Sequence, residues 1–194
     1  TLFDRLYQWV KSYNLKHKIA LIKQYKKGNI QLLDIGAGTG DFVLSSKKYA
    51  YWEAIGIEPS KKARTKAEEK GLLLQADFGN LLPHSFDVIT MWHVLEHVPD
   101  VAQEIQIISN LLKENGIAVI AVPNYRSWDA QHYKEHWAAY DVPRHLWHFS
   151  KKSIEQLFAK EGFHLLATHP MLFDAFYVSM LSEQYKTGKK SFLK

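Results

Sequence analysis

Cysteine is absent from this 194-residue chain, and several classes of protein are excluded with it. Disulfide bonds and thiolate zinc sites cannot form. A cytosine methyltransferase with a cysteine nucleophile and a radical enzyme with an iron–sulfur cluster are excluded for the same reason. The sequence also has no apolar run near the ~20 residues that cross a bilayer and no visible signal peptide. We therefore expect a cytoplasmic protein without a transmembrane segment.

Length and charge suggest an ordinary globular chain. The 194 residues fit one domain with a sizeable core. The formal net charge is +5, but the lysines are scattered over predicted helices, which favours solvated helix faces over a nucleic-acid surface. The oligomeric state is left open. Because the sequence begins at Thr1 without methionine and stops in a basic tail from Lys186 to Lys194, we expect elements at both termini to be missing.

Strands and helices alternate along the chain. This order predicts an α/β fold, with a doubly wound and mostly parallel sheet between two helical layers (α/β/α). Strands are predicted at 30–35, 53–57, 72–76, 86–91, 117–122 and 162–168. Helices are predicted at 2–12, 15–26, 41–50, 61–70, 101–113 and 150–160, and helix is favoured over strand at 175–185. No internal repeat or low-complexity segment interrupts this order.

The most informative segment follows the first predicted strand, where an apolar run reaches Asp34 and then Gly36-Ala37-Gly38-Thr39-Gly40. Glycine lets the backbone turn tightly and approach a ligand where a Cβ atom would collide. A strand, a glycine turn and a helix build the nucleotide sites of doubly wound folds. A dinucleotide fingerprint needs its third glycine at position 41, which is Asp41. The spacing therefore opposes a nicotinamide dinucleotide.

This run resembles motif I of class I S-adenosylmethionine (SAM)-dependent methyltransferases. Three further segments of that pattern follow in order: Glu58-Pro59 after the second strand, Asp77-Phe78 after the third, and Trp92 to Asp100 after the fourth. The last is similar to a segment of the methyltransferase families that include ubiquinone-biosynthesis O-methyltransferases. Asp141 to Ser150 looks like the substrate-side signature of the same group. The resemblance covers about residues 30–170.

The resemblance implies a Rossmann-like class I methyltransferase fold with strand order 3-2-1-4-5-7-6, and we expect its last strand to be missing from this sequence. It also implies S-adenosyl-L-methionine as cofactor, with S-adenosylhomocysteine as product. Glu58 would hold the ribose, Asp77 and Phe78 the adenine, and His93 would lie beside the methionine arm. The complete predicted cofactor set is Asp34, Gly36, Ala37, Gly38, Thr39, Gly40, Glu58, Pro59, Asp77, Phe78, Trp92 and His93.

The predicted organisation is one methyltransferase domain over 1–194. Residues 1–27 form an N-terminal helical layer, 28–123 the SAM-binding core, 124–149 a substrate-side lid rich in aromatic residues and histidine, and 150–194 a C-terminal part. A stretch as long as the lid without clear periodicity is uncommon in a compact domain unless it is functional. The alternative is a packed aromatic cover in which Arg144 pairs with Asp141.

The predicted reaction is methyl transfer to an oxygen or nitrogen atom of a small molecule. The signature of exocyclic-amine DNA methyltransferases is absent after the fourth strand, so nucleic acid is not the expected acceptor. A hydroxyl or protonated amine needs a base, and histidine titrates near neutrality. His93 and His145 are the candidate bases, with Asp141 or Arg144 orienting or binding an acidic acceptor. A SAM-binding module without turnover and a nucleotide-dependent oxidoreductase are the alternatives.

Several histidines could be metal ligands. His93-x-x-Glu96-His97 matches an inverted zinc-protease motif, but a strand is predicted to end at His93 and Pro99 follows closely, which opposes one continuous helix. A divalent metal at those three residues, or at the i, i+4 pair His132 and His136, remains an alternative. We favour no metal, with Glu96 and His97 tying the fourth strand to its neighbours by hydrogen bonds.

Overall fold

The computed structural model describes residues 2–79 and 81–188, and the chain divides into two compact units. The first unit comprises Thr1–Val94 and Gln106–Ala121, and the second comprises Leu95–Ile105 and Val122–Lys194. Most of the predicted basic tail, residues 189–194, lies outside the described residues. The single domain over 1–194 stays a prediction. None of the described helices is long and apolar enough to cross a membrane.

Helices and strands alternate as predicted up to residue 121, and only helices follow within the described residues. The strands are β1 (Gln31–Ile35), β2 (Glu53–Ile57), β3 (Phe86–Trp92) and β4 (Leu112–Ala121). The helices are α1 (Leu2–Tyr25), α2 (Asp41–Ala50), α3 (Lys61–Glu68), α4 (Val101–Leu111), α5 (Trp128–Tyr133), α6 (Lys151–Ala159) and α7 (Leu172–Thr187). Short 3-10 helices cover Leu95–His97, Lys134–His136 and Ala138–Tyr140.

The strands form a four-stranded sheet of order β2-β1-β3-β4, and all three pairings are parallel. Parallel neighbours need crossover connections, which the intervening helices supply. The predicted α/β class with a mostly parallel sheet is confirmed. The observed order corresponds to the 2-1-4-5 part of the predicted order. Within the described residues, no regular strand forms at 72–76 or 162–168.

The two missing strands have local explanations. At 72–76 the chain first closes α3, because the Leu72 N–H donates to the Ala67 carbonyl, and only Gln75 then bridges to Ile57. At 162–168 the Phe163 N–H donates to the Phe158 carbonyl and the two rings lie edge to face at 5.3 Å. These contacts close the turn that ends α6, and residues 164–168, which follow it, do not pair with a strand.

Element boundaries differ in three further places. The two predicted N-terminal helices are one helix, α1, since the sequence between them holds neither glycine nor proline. The predicted helix to residue 113 ends at Leu111, and β4 begins at Leu112 instead of 117. Asn115-Gly116 marks a register irregularity instead of a helix end: Phe86 pairs with Leu112, whereas Val88 pairs with Ile117.

In the core of the first unit, helices α1 and α2 pack against one face of the sheet. Ile22 of α1 and Val43 of α2 are fully buried in one cluster with Leu32 of β1 and Val88 of β3. Side chains alternate between the faces of a strand, yet Leu33, which follows Leu32, is also fully buried. Burial of both faces is typical of parallel sheets covered by helices on each side.

The second unit has a small core of its own around Trp137. Ala130 and Ala139 are buried with it, and Val178 of α7 packs against the cluster. The Ser182 hydroxyl of α7, itself fully buried, accepts from the Ala138 N–H at 2.8 Å. The stretch 124–149 is therefore not aperiodic throughout, because α5 and two 3-10 helices are held against α7.

Candidate cofactor site and histidine cluster

Strand register brings three predicted site segments to one edge of the sheet. Ile35 of β1 pairs with Ile57 of β2 on one side and with Met91 of β3 on the other. The residues that follow, Gly36 and Glu58 among them, therefore leave the sheet at the same level, on strands about 4.8 Å apart. In open α/β sheets, ligands bind at this carboxyl edge.

The glycine turn is shaped by two requirements that glycine meets. Gly36 has φ +69°, and a Cβ atom there would collide with the Val94 side chain. Gly38 has φ +56°, but a Cβ atom there would meet no atom within 4 Å. At Gly36 the close neighbour is protein, whereas at Gly38 the backbone faces open space. Gly38 is the position where a ligand can approach the main chain.

Glu58 points at this turn. Its Oε2 accepts from the Gly38 N–H at 2.8 Å, and its Oε1 accepts from the Ser60 N–H at 2.8 Å. A carboxylate has about four lone-pair positions, so each oxygen keeps capacity for a further donor. The half-buried Glu58 is thus fixed in orientation and able to accept two hydroxyl hydrogen bonds. Pro59 follows it and is exposed.

Asp34 lies behind the turn. It is 2% exposed, and its Oδ1 accepts from the Thr90 hydroxyl at 2.6 Å. Burial raises the pKa of Asp34 to about 7, against the lowering effects of the Thr90 hydrogen bond and Lys18. A group so buried supports the turn from within. Ala37 joins the turn to the sheet, since its N–H donates to the Ile57 carbonyl at 2.9 Å.

Charged contacts hold the far side of the turn. The Thr39 hydroxyl donates to Asp41 at 2.8 Å, and Lys70 reaches the Thr39 carbonyl at 2.9 Å. Asp41 also forms ion pairs with Lys11 at 2.8 Å and with Lys70 at 3.0 Å. Burial alone would raise the pKa of Asp41, but these lysines and Thr39 hold it below its usual value. Gly40, the N-cap of α2, has φ 74°.

Trp92 and His93 end β3 at the same edge. The Trp92 ring meets Phe42 edge to face at 5.4 Å, and the Lys18 ammonium lies 4.2 Å from its centroid. His93 has the left-handed φ of +59°, and its N–H donates to the Ala121 carbonyl at 2.9 Å. A non-glycine residue held there is strained, and such strain clusters at functional sites. Lys18 was not predicted, because it looks like any other lysine of α1.

Asp77 and Phe78 lie in the loop that follows the Gln75 bridge. Asp77 is exposed and accepts from the Gly79 N–H at 2.9 Å, whereas Phe78 is half-buried. The pairing of Gln75 with β2 carries this loop beside Glu58, whose N–H donates to the Gln75 carbonyl at 2.9 Å. These two residues therefore lie beside the predicted ribose-binding residue, and their contacts with adenine stay a prediction.

The other predicted catalytic residues belong to the second unit. Arg144 donates to Asp141 Oδ1 from Nε at 3.0 Å and from Nη2 at 2.6 Å. His145 Nε2 lies 3.8 Å from Asp141 Oδ2. Burial lowers the pKa of His145, against the raising effect of the Ala139 carbonyl. The Asp141–Arg144 pair is the one expected from the alternative of a packed cover.

His145 is also part of a cluster that sequence reasoning did not assemble. One ligand atom from each of Glu96, His97 and His145 lies within 4.8 Å of the others. The metal alternatives considered from the sequence combined Glu96 and His97 with His93 instead. The long separation of His145 along the chain hides its contact with Glu96. The Glu96 carbonyl accepts from the N–H groups of Leu146 and Trp147. The expectation that Glu96 and His97 tie the fourth strand to its neighbours stays a prediction.

Comparison with known proteins agrees with this geometry. The sheet and its helices define a Rossmann-like methyltransferase fold. A methyltransferase from Archaeoglobus fulgidus described as SAM-dependent aligns with TM-score 0.64 and 18% identity over 90% of this chain and 86% of that one. A protein from Thermotoga maritima described as a SAM-dependent methyltransferase and possible histamine N-methyltransferase aligns with TM-score 0.60 and 23% identity, covering 84% and 80%.

Residues 7–168 match the model of a methyltransferase domain family, and the chain belongs to that family. Ubiquinone biosynthesis O-methyltransferases are similar in sequence: that of Aeromonas salmonicida is 34% identical over 103 residues, and that of Pelagibacter ubique is 38% identical over 105 residues. These matches cover 48% and 50% of this chain, and the chain spans under half (43%) of each relative. The predicted methyltransferase class is confirmed, and S-adenosyl-L-methionine is the cofactor that this assignment supports.

Proposed function

We propose that this chain binds S-adenosyl-L-methionine at the carboxyl edge of its sheet and methylates an oxygen or nitrogen atom of a small molecule. The observation that carries the proposal is the pairing of Glu58 with the Gly38 N–H at 2.8 Å. It places a fixed hydroxyl acceptor next to the one glycine of the turn whose Cβ direction is open. Ribose hydroxyls are the donors that such an acid binds in nucleotide folds.

The residues present fit the cofactor. Gly38 offers a close backbone approach, Glu58 keeps free lone pairs, and Phe78 offers an apolar ring face. When bound, S-adenosyl-L-methionine supplies an activated methyl group on a sulfonium. Methyl transfer then chiefly requires alignment and an acceptor freed of its proton. Trp92 and Phe42 form a packed apolar wall at the end of β3 that limits access of water to this edge.

His93 and His145 are the proposed bases for the acceptor proton. His145 Nδ1 lies 2.8 Å from the Ala139 carbonyl oxygen. Because a carbonyl can only accept, neutral His145 carries its proton on Nδ1, and the lone pair of Nε2 can take the acceptor proton. Asp141 Oδ2 lies 3.8 Å from Nε2, where its charge would stabilise the imidazolium that forms, and Arg144 is exposed enough to bind an acidic acceptor. If His93→Ala and His145→Ala each keep near-normal turnover, neither residue is the base.

An oxygen acceptor is favoured over nitrogen. The sequence relatives, at 34% and 38% identity, are named O-methyltransferases of ubiquinone biosynthesis. A phosphoethanolamine N-methyltransferase from Haemonchus contortus matches at only 19% identity, with TM-score 0.63 over 92% of this chain and 44% of that one. We therefore place a phenol first in an acceptor panel and amines second.

Calorimetry tests the cofactor proposal. S-adenosyl-L-methionine and S-adenosylhomocysteine should bind, and NAD and NADP should not. Glu58→Gln should weaken S-adenosylhomocysteine at least about tenfold, since a hydrogen bond to a charged group contributes about 1.5–3 kcal/mol. The matched control is Glu53→Gln, at the opposite end of the same strand, which should bind normally. Equal binding by the two variants would refute the site.

Turnover separates the remaining alternatives. Release of S-adenosylhomocysteine with a methylated phenol establishes the reaction. Cofactor binding without transfer across a broad acceptor panel supports a SAM-binding module without turnover. Binding of NAD in place of the adenosyl ligands would support the oxidoreductase alternative.

A further inference from the structure

A buried carboxylate and two imidazoles meet in the second unit. Glu96 is 1% exposed, the side chain of His145 is 10% exposed, and His97 is next to Glu96 in sequence. One ligand atom from each residue lies within 4.8 Å of the other two. We propose that Glu96, His97 and His145 bind a divalent metal ion of the zinc type.

The backbone holds the two parts of this cluster together without help from a ligand. The Glu96 carbonyl accepts from the Leu146 N–H at 2.8 Å and from the Trp147 N–H at 3.3 Å. The Trp147 indole N–H donates to the Val98 carbonyl at 2.8 Å. The 3-10 helix that carries Glu96 and His97 is thereby fixed against the segment that carries His145. A metal ion would meet ligands that are already in place.

Hydrogen bonds also orient both imidazoles for metal binding. Nδ1 of His97 lies 2.9 Å from the Arg144 carbonyl, and Nδ1 of His145 lies 2.8 Å from the Ala139 carbonyl. A carbonyl only accepts, so the neutral rings carry their protons on Nδ1 and keep their Nε2 lone pairs. Metal-binding histidines are almost always held in this way, with the second nitrogen donating to a carbonyl or carboxylate.

The donor set selects the metal. Two imidazole nitrogens and one carboxylate are the protein ligands of many catalytic zinc sites, which keep a fourth position for water or substrate. With metal–ligand bonds of about 2.0–2.2 Å, tetrahedral ligand atoms lie about 3.4 Å apart. Glu96 Oε1 and His145 Nε2 are 4.0 Å apart, so small side-chain rotations suffice. A second carboxylate oxygen, Asp141 Oδ2, lies 3.8 Å from His145 Nε2.

Metal binding and proton transfer exclude each other at His145. A coordinated Nε2 has no lone pair for an acceptor proton, so this inference leaves His93 as the remaining candidate base. The metal site itself does not depend on the proposed methyl transfer. Its test can therefore be done without S-adenosyl-L-methionine, and its failure would leave the cofactor proposal intact.

Cobalt titration of the metal-free chain tests the site. Co²⁺ should bind one ion per chain with the visible absorption of a four-coordinate complex, and Zn²⁺ should displace it. Glu96→Gln, His97→Asn and His145→Asn should each weaken Co²⁺ binding by at least about tenfold. The matched control is the double variant His132→Asn, His136→Asn, which alters the i, i+4 histidine pair outside the cluster and should bind as the unchanged chain does.

Three results would overturn the inference. The unchanged chain could bind no stoichiometric Co²⁺, the cluster variants could bind as well as the unchanged chain, or the double variant could lose the ion. Far-UV circular dichroism checks that each variant folds. Where a cluster variant does not fold, the titrations of the unchanged chain and of the double variant still decide the question.

Discussion

We predict that the buried carboxyl of Asp34 makes the stability of the chain depend on pH. Its carboxyl is buried at the end of β1 and accepts from Thr90. Burial raises its pKa from 3.8 to about 7, so between these values the folded chain binds a proton that the unfolded chain has released. The free energy of unfolding then falls as pH rises through this window and is constant above it. The full difference corresponds to about 4 kcal/mol.

Asp34→Asn removes the titrating group but keeps an oxygen that can accept from Thr90. From pH 5 to pH 7 the unchanged chain should lose about 2 kcal/mol of stability relative to this variant. Urea unfolding followed by tryptophan fluorescence measures the difference, with Trp52 and Trp92 reporting on the first unit. We expect the difference to level off above pH 7.

Asp87→Asn is the matched control. Burial alone would raise the pKa of Asp87, but the Gln31 N–H and the Lys113 ammonium lower it overall. Its contribution is therefore present above the unfolded pKa and is lost only as pH falls through the lower, folded pKa. From pH 5 to 7 the Asp87→Asn difference should not change. A pH-independent difference for Asp34→Asn as well would refute the reasoning.

Four further substitutions test the turn, the core and a helix start. Gly38→Ala should cost about 1–2 kcal/mol of stability, because alanine is strained in the left-handed backbone conformation of Gly38. It should also weaken S-adenosylhomocysteine binding at least about tenfold by calorimetry, because the added Cβ atom would enter the open space that the proposed cofactor fills. Gly36→Ala should be more destabilising in a thermal melt, since its Cβ atom also collides with Val94. Ile89→Ala, fully buried in β3, should cost about 2–5 kcal/mol in urea unfolding. Ser150→Ala should cost about 0.5–2 kcal/mol, because Ser150 caps α6 with a capping box; a loss near zero would contradict that role.

Local signals in the sequence were sufficient where they bounded an element on both sides. The bounds of α2 and β2 were predicted to the residue, because the glycine turn precedes α2 and Glu58-Pro59 closes β2. In the structure, Ser60 and Ser150 cap α3 and α6. The contact of Glu58 with the glycine turn follows from parallel pairing, in which the residues after neighbouring strands meet at one edge.

Contacts between distant segments could not be predicted in the same way. The register irregularity of β4 depends on pairing with β3, and no local pattern at Lys113 to Gly116 specifies it. Lys18 reaches Trp92 because Ile19 and Ile22 of α1 are buried in the core against which Trp92 packs. His145 meets Glu96 through backbone hydrogen bonds made by Leu146 and Trp147. These arrangements result from tertiary packing, which cannot be predicted from the periodicity of the sequence.

The shared pairing of Ile35 with Ile57 and Met91 has a practical consequence for mutational studies. A slip of one residue in either ladder would reverse which face each side chain occupies and would carry Glu58 or Trp92 away from the glycine turn. Apolar substitutions in the middle of β2 can therefore abolish ligand affinity while the fold survives. A screen scored by activity alone would assign such positions to the ligand pocket, although they act by keeping the strands aligned.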